Sequence, residues 1–127
     1  MADTQEEKKY NRDTNIINVS LNRGFTFYVF LAKKFLEDFD TIELHSLGAA
    51  TSTAVQTAEN LIRHEYATMD VIRTDTIDIE RKDGESQKKA KLFITLKKGP
   101  NFEKAIAEFE KIREAKETAE ALSLIHI

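Results

Sequence analysis

The sequence lacks cysteine and tryptophan, and it has one proline and four glycines among its 127 residues. Without cysteine the chain can form no disulfide bond, no thiolate metal site and no cysteine nucleophile. A chain without thiols fits a reducing compartment, so we predict a location in the cytoplasm, the nucleus or both. The three histidines do not have the spacing of metal ligands, and we predict no metal and no cofactor.

The sequence also lacks the signals of a membrane protein and of an enzyme. No apolar run approaches the ~20 residues of a membrane helix, and the polar N-terminus MADTQEEKKYNRDTN has no hydrophobic segment of a secretory signal. Glycine patterns that bind phosphate or dinucleotides are absent. A catalytic serine needs a base and a third group that orients the base. Ser46 and Ser52 lie near His45, but proximity in sequence alone is weak evidence for a catalytic pair, and His45 occupies an outward strand position. We predict a protein that is not an enzyme, with no small-molecule substrate and no membrane partner.

Positive charge is concentrated in one segment. The formal net charge of the whole chain is −3, which argues against a surface that is basic overall. Residues 80–98, however, hold seven Lys or Arg against three Asp or Glu. Any surface that binds anions is therefore expected to be local.

Hydrophobic periodicity predicts an α/β fold with two layers. Strands are predicted over 15–21, 41–46, 69–82 and 87–98, and helices over 25–39, 50–65 and from Pro100 onward. The order β-α-β-α-β-β predicts one four-stranded mixed sheet with two helices on one face, followed by an extra C-terminal helix. The segment KDGES predicts a hairpin turn with Gly84 at positive φ. The polar strand ends around it, 80–91, should extend beyond the core as a long hairpin arm.

The apolar side chains within these elements predict the core. On the strands, the residues expected to face inward are Ile17, Val19, Leu21, Ile42, Leu44, Ala90, Leu92, Ile94 and Leu96. On the helices, they are Tyr28, Leu31, Ala32, Phe35, Leu36, Phe39, Ala50, Ala54, Ala58, Leu61 and Ile62. The parity of the third strand blurs around Ile72 to Asp75, which suggests a bulge or a strong twist there.

The chain divides into four predicted parts. These are a disordered N-terminal segment over 1–14, a folded domain over 15–98, a C-terminal helical extension over 99–121, and a tail over 122–127. The tail LSLIHI is apolar after a charged helical segment, and it matches the translation of a transposase adapter used in sequencing libraries. We hypothesise that the tail is not native; a short docking segment is the alternative.

The hairpin arm is the main candidate for binding phosphates. Its basic residues are Arg81, Lys82, Lys88, Lys89 and Lys91. Such cations can bind phosphate oxygens without reading sequence, although charged hairpin tips often serve only solubility. Arg23 adds a cation at the first strand–helix junction, where the N-terminus of a helix already favours anions.

The second strand–helix junction, HSLGAATSTAVQ, has a glycine but no Lys or Arg. Such a junction can present backbone N–H groups to an anion. The following helix is rich in alanine and threonine, and its small side chains favour close packing against a sheet or a partner helix. Three interpretations stay open: an anion site without charged side chains, a packing element, or a relic of another role.

Three stretches in this order resemble the Alba family of nucleic-acid-binding proteins. They are NVSLNRGFTFYVFLAKKFL, IELHSLGAATSTAVQTAENL and QKKAKLFITLKK, within a match over about residues 16–98. The resemblance is strongest to small eukaryotic Alba-like proteins. It implies a dimer of β-α-β-α-β-β subunits that binds RNA or DNA through a shared face and through hairpin arms.

The resemblance also implies which junction residues contact nucleic acid. Asn22 and Arg23 stand where archaeal members typically have two lysines, so one cation is kept. Leu47 and Ala49 flank Gly48 where archaeal members typically have arginines, so both charges are lost there. Thr53 replaces a common lysine in the second helix. These losses argue against tight, non-specific coating of duplex DNA.

Two functions follow from this resemblance. The first is nucleic-acid binding, of RNA before DNA, through Asn22, Arg23, Leu47, Gly48 and the basic hairpin arm. The second is a protein–protein role, as an Alba-like heterodimer partner within a ribonucleoprotein of the RNase P/MRP type.

Oligomerisation is predicted because a second helix stripe and a surplus aromatic residue need covering, and because the family that the chain resembles is dimeric. Val55, Glu59 and Ile62 form a second stripe on the second helix, and Phe30 lies off the stripe of the first helix. We predict that these four residues contribute to a dimer interface, in a homodimer or with another Alba-like protein. The alternative is that the C-terminal helix covers them within one chain.

Overall fold

The computed structural model describes residues 14–125, with side chains up to residue 116. The predictions for residues 1–13 and for the last two residues of the tail lie outside this range. The described elements are β1 (Ile16–Val19), α1 (Phe25–Asp38), β2 (Thr41–Leu47), a 3₁₀ turn (Gly48–Ala50), α2 (Thr51–Arg63), β3 (Ala67–Glu80), β4 (Ser86–Lys98) and α3 (Phe102–Ile125).

The four strands form one mixed sheet in the order β1-β2-β4-β3. The β1–β2 pair is parallel, because α1 crosses between these strands, and the other two pairs are antiparallel. The element order and the four-stranded mixed sheet are therefore as predicted. The sheet has a covered face, on which α1 and α2 pack, and an open face on the other side.

The covered face holds the core. Alternate residues of β2 and β4 point into it, with Ile42, Leu44, Ile94 and Leu96 at 0 or 1% exposure. The predicted stripe of α1 is buried from Tyr28 to Leu36. On α2 the small side chains Ala54 and Ala58 and the larger Leu61 are buried, which brings this helix close to both α1 and the sheet.

Four details differ from the predicted packing. Leu21 is 67% exposed because β1 ends at Val19 and the chain turns away before Leu21. Ala90 is exposed because no helix reaches that far along β4. The bulge of β3 lies between Met69 and Val71, a few residues before the predicted place. The C-terminal helix begins at Phe102, so Pro100 precedes it rather than standing in its first turn.

α3 is attached mainly through its first turns. Phe102 is buried, with its ring 6.4 Å from that of Tyr66 in an edge-on arrangement. The Lys33 ammonium lies 3.7 Å from the ring centroid of Phe109 and 4.4 Å from that of Tyr66. Burial lowers the pKa of Lys33 and raises the pKa of Tyr66. One turn further, Ile112 is 68% exposed, so the apolar stripe of α3 is covered only at its start.

The hairpin beyond the helices is the predicted arm, and it begins earlier on β3 than expected. Residues 75–91 are exposed except for the partly covered Ile77, Ile79 and Lys91, and "hairpin arm" denotes this range below. Its paired strands extend about 20 Å. Gly84 has φ +86° at the turn, as predicted.

Candidate nucleic-acid interface

The first strand–helix junction presents one cation and an uncapped helix end. Asn22 and Arg23 are both exposed in the loop between β1 and α1. The guanidinium of Arg23 lies 4.7 Å from the ring centroid of Phe27, a cation–π arrangement that orients it. No side chain caps α1 at Gly24, so its first N–H groups and Arg23 favour an anion at the same place.

The second junction is built on the backbone. Gly48 follows the end of β2 with φ +53° and opens the 3₁₀ turn that leads into α2. Glycine adopts this left-handed conformation without strain. Leu47 is half-buried, and Ala50 at the end of the turn is buried. The junction thus offers an apolar side chain and main-chain groups, but no charge of its own.

The hairpin arm supplies the missing charge to this junction. Leu47 on β2 pairs in register with Lys91 on β4. The Cδ atom of Lys89 lies 3.9 Å from the point that a Cβ atom on Gly48 would occupy. Two of the predicted cations, Lys89 and Lys91, therefore flank Leu47 and Gly48 at the base of the arm.

The remaining predicted cations lie towards the tip. Lys88 is opposite Asp78 across the hairpin, and both side chains are exposed. Arg81 closes the turn through its backbone, whose N–H donates to the carbonyl oxygen of Glu85 at 2.7 Å. Lys82 lies within the turn. The structure therefore divides the predicted basic set into a group beside Gly48 and a group around the turn.

The hairpin arm as a whole has no excess of positive charge, although the segment 80–98 is basic in sequence. The arm carries five basic residues, but β3 and the turn bring five acidic residues to the same segment, 75–91. Asp75 lies opposite Lys91 and Asp78 lies opposite Lys88. The arm as a whole is therefore neutral, and its lysines bind phosphate only where they point away from these carboxylates.

A separate apolar groove lies between α2 and β3. It has a volume of about 400 Å³, and its lining includes Val55, Ile62, Met69 and Ile72. Met69 and Ile72 are 43% and 57% exposed because neither helix reaches this edge of the sheet. Glu59 on the rim forms an ion pair with Arg63, with 2.8 Å between Oε1 and Nε.

The four residues predicted for the dimer interface thus fall on two surfaces. Val55, Glu59 and Ile62 line the groove together. Phe30 lies on α1, 53% exposed, with the Lys34 ammonium 4.9 Å from its ring centroid, and it is not part of the groove lining.

Sequence reasoning missed a cluster on the open face of the sheet. Phe93 and Arg73 face each other across β4 and β3, and His45 lies beside Phe93 on β2. One signal was available in KLFITLK, where Phe93 is a large aromatic residue at an outward position of an alternating strand. The pairing across the strands could not be read from any single segment.

Neither a metal cluster nor a membrane span is found in the described part of the chain. No three His, Cys, Asp or Glu side chains among these residues form a group that could hold a metal ion. None of the described helices has both the length and the apolar character that a membrane span requires.

The chain forms a small two-layer α/β domain with a projecting hairpin. Polar and basic groups lie at its strand–helix junctions. This architecture suits the binding of extended anionic polymers. The Alba family model matches residues 15–80, and the chain belongs to the Alba family. Alba proteins are in general nucleic-acid-binding proteins without enzymatic activity.

Individual relatives support the assignment. The chain is 37% identical to an uncharacterized protein of Arabidopsis thaliana over 120 residues, which cover 93% of this chain and 86% of the relative. The crystal structure of ALBA1 from Trypanosoma brucei superposes with a TM-score of 0.70 at 24% identity, over 86% of this chain and 90% of that one. Alba from Thermoplasma volcanium gives a TM-score of 0.57 at 29% identity, over 65% and 99%.

Proposed function

We propose that this protein binds RNA as a dimer, through the base of the hairpin arm and the two strand–helix junctions. The observation that carries the proposal is the position of Lys89 and Lys91 beside Leu47 and Gly48. This arrangement joins two ammonium groups, a glycine turn and an apolar side chain in one surface. The ammonium groups would bind phosphates, and Leu47 would contact bases.

The low positive charge of the arm and the junctions favours RNA over duplex DNA as the ligand. Non-specific duplex binding depends on many phosphate contacts and on the counterions that they release. A neutral arm and a junction without arginine provide few such contacts. Unpaired RNA offers bases for stacking and apolar contact, which can supply affinity where charge does not. The lack of cysteine fits a cytoplasmic or nuclear setting for this role.

The test is charge reversal of Lys88, Lys89 and Lys91 to Glu, with binding to a fluorescent single-stranded RNA measured by anisotropy at two salt concentrations. The matched control reverses the exposed Lys104, Lys111 and Lys116 of α3, which changes the net charge equally. We expect the arm variant to lose at least about tenfold in affinity with a flatter salt dependence. Equal losses in both variants would show that the arm has no special role.

Dimerisation is proposed through the groove between α2 and β3. Its exposed Val55, Met69 and Ile72 are apolar side chains that a second subunit would bury. Val55→Asp should give a monomer by light scattering at micromolar concentration. Val71→Asp is the matched control, because Val71 is 51% exposed against 50% for Val55 but pairs with Thr95 on the open face. A monomeric mass for the wild-type protein in the same light-scattering measurement would contradict the proposed dimer.

A second candidate function is that of a heterodimer partner in a ribonucleoprotein. The neutral arm favours it, because a subunit with few free phosphate contacts would depend on its partner for affinity. Gel-shift assays of the chain with and without a second Alba-like protein separate the two functions. Strong binding by this chain alone at low salt favours the first, and binding only with the partner favours the second.

A further inference from the structure

The open face of the sheet carries one row of residues that crosses all four strands. Asn18 on β1 pairs in register with His45 on β2, His45 pairs with Phe93 on β4, and Phe93 pairs with Arg73 on β3. We call these four residues the cross-sheet row. Neighbouring strands lie about 4.8 Å apart, so the row is about 14 Å wide.

The side chains of the row are in contact at its centre. The ring of His45 meets the ring of Phe93 edge-on, with 4.7 Å between centroids. The guanidinium of Arg73 lies 4.3 Å from the centroid of Phe93. The ammonium of Lys91 approaches the same ring at 4.9 Å. One half-buried aromatic ring is thus surrounded by an imidazole and two cations.

These two cations are not neutralised by ion pairs. Among residues 14–116, neither Arg73 nor Lys91 has a carboxylate oxygen within 4.0 Å. The nearby Glu43 is within hydrogen-bond distance of His45 instead, with 3.3 Å between Oε1 and Nε2. An exposed arginine beside an aromatic ring offers both a flat surface for stacking and donors for a phosphate. The row therefore combines the groups that recognise a base and the groups that recognise its phosphate.

The row is continuous with the interface proposed above. A crevice of about 400 Å³ is lined by Asn18, His45 and Lys91 of the open face and by Leu47 of the second junction. Lys91 belongs to both surfaces, since it pairs with Leu47 and approaches Phe93. A nucleic-acid strand that contacts the base of the arm can thus pass directly onto the open face.

We infer that the cross-sheet row, together with Lys91, is a stacking platform for unpaired nucleotides. The inference rests on the proposed function and specifies which form of nucleic acid this face accepts. A flat sheet can stack bases only when they are not already stacked within a duplex. The occupant is therefore a single strand, and RNA and single-stranded DNA share the chemistry that the platform recognises.

The test compares two platform variants with one control. Phe93→Leu removes the aromatic ring but keeps an apolar side chain, and Arg73→Gln changes only an exposed side chain. Lys97→Gln is the control, because it removes a cation from the same face of β4 at a position 60% exposed. Each protein is titrated with oligo-rU, oligo-dT of equal length and a mixed-sequence duplex, after its folding is checked by circular dichroism.

We expect Phe93→Leu and Arg73→Gln to weaken single-strand binding about tenfold, as the loss of one stacking contact does elsewhere. Duplex binding should change less than about twofold, and Lys97→Gln should affect all probes equally and weakly. Equal losses for oligo-rU and oligo-dT would support a platform that contacts bases and phosphates. A larger loss for oligo-rU would support one that also contacts the 2′-hydroxyl.

A crosslinking experiment locates the contact directly. An oligonucleotide with 4-thiouridine should crosslink to the tryptic peptide LFITLK, residues 92–97, which contains Phe93. The inference is overturned if both platform variants bind single strands like Lys97→Gln while reversal of Lys88 and Lys89, the arm lysines outside the platform, still abolishes binding; the proposed function then stands. It is also overturned if the duplex loses as much affinity as the single strands. Failure of the wild-type protein to bind any probe would remove both proposals.

Discussion

The β3–β4 hairpin passes through two environments, which differ in what covers the side chains of its two halves. Near the helices, Leu92, Ile94 and Leu96 of β4 are buried under α1 and α2. Further along the same strand, the side chains from Ser86 to Ala90 are exposed. Backbone pairing continues through both halves, so the difference lies in the side chains and in what covers them.

The two halves of the hairpin are stabilised differently, so a substitution in one half should have little effect on the other. The covered half is held by apolar burial, which is the dominant favourable term in folding. The arm has only its ladder of hydrogen bonds and cross-strand pairs, and each such pair contributes about 0.2–1 kcal/mol. Substitutions in the covered half should therefore alter global stability, whereas substitutions in the arm should alter binding and local opening.

The largest expected effect is that of Leu96→Ala in the covered half. Leu96 is 0% exposed, and truncating a buried leucine typically costs about 2–5 kcal/mol. Chemical denaturation should show this loss as a lower midpoint. Ile79→Ala, a truncation of a half-buried side chain in the arm, is the comparison. Similar losses for both would mean that the arm folds as part of the core.

The covered half was predictable from sequence, and the arm only in outline. Alternation in KLFITLK indicates which side chains face the helices, because burial of one face leaves a period of two. Leu21 shows the limit of this reasoning, since it continues the alternation of β1 although the strand has already ended.

Pairing across strands accounts for what sequence reasoning missed. The segment 80–98 looks basic by itself, but β3 brings Asp75 and Asp78 opposite Lys91 and Lys88. The same holds for the cross-sheet row, whose members lie on four strands. The register of β3 against β4 shifts at the bulge between Met69 and Val71, and the partners of a strand cannot be read from its own segment.

The second prediction concerns the turn of the arm. Gly84→Ala places a Cβ atom at φ +86°, which costs about 1–2 kcal/mol. We expect the exposed arm to open locally, so amide hydrogens there should exchange about tenfold faster in this variant. The midpoint of global unfolding should stay unchanged. Gly24→Ala is the control, because Gly24 has φ −79° and nothing lies within 4 Å of the added atom. A lower global midpoint in Gly84→Ala alone would link the turn to the core.

The third prediction concerns the net charge of the arm, which two substitutions would make positive. Asp75→Asn with Asp78→Asn removes the carboxylates opposite Lys91 and Lys88, and the arm then carries a net charge of about +2. We expect about fivefold tighter binding to single-stranded RNA at low salt, with a steeper salt dependence. The change Asp40→Asn alters charge at an exposed site beside Lys98 instead, and it should have no such effect. Unchanged affinity in the double variant would show that these carboxylates do not compete with phosphate.

The smallest effect is expected at Ser46, a polar residue within the covered half. Its hydroxyl is buried and has no hydrogen-bond partner among the described residues. Burying such a group is unfavourable, so Ser46→Ala should leave the free energy of unfolding unchanged or raise it by up to about 1 kcal/mol. Thr57→Val provides the contrast, because the buried Thr57 hydroxyl donates to the Thr53 carbonyl oxygen at 2.8 Å; this change should cost about 1 kcal/mol. If Ser46→Ala proves as costly as Thr57→Val, the Ser46 hydroxyl has a partner in solution, and the end of β2 beside Leu47 is not stabilised by apolar packing alone.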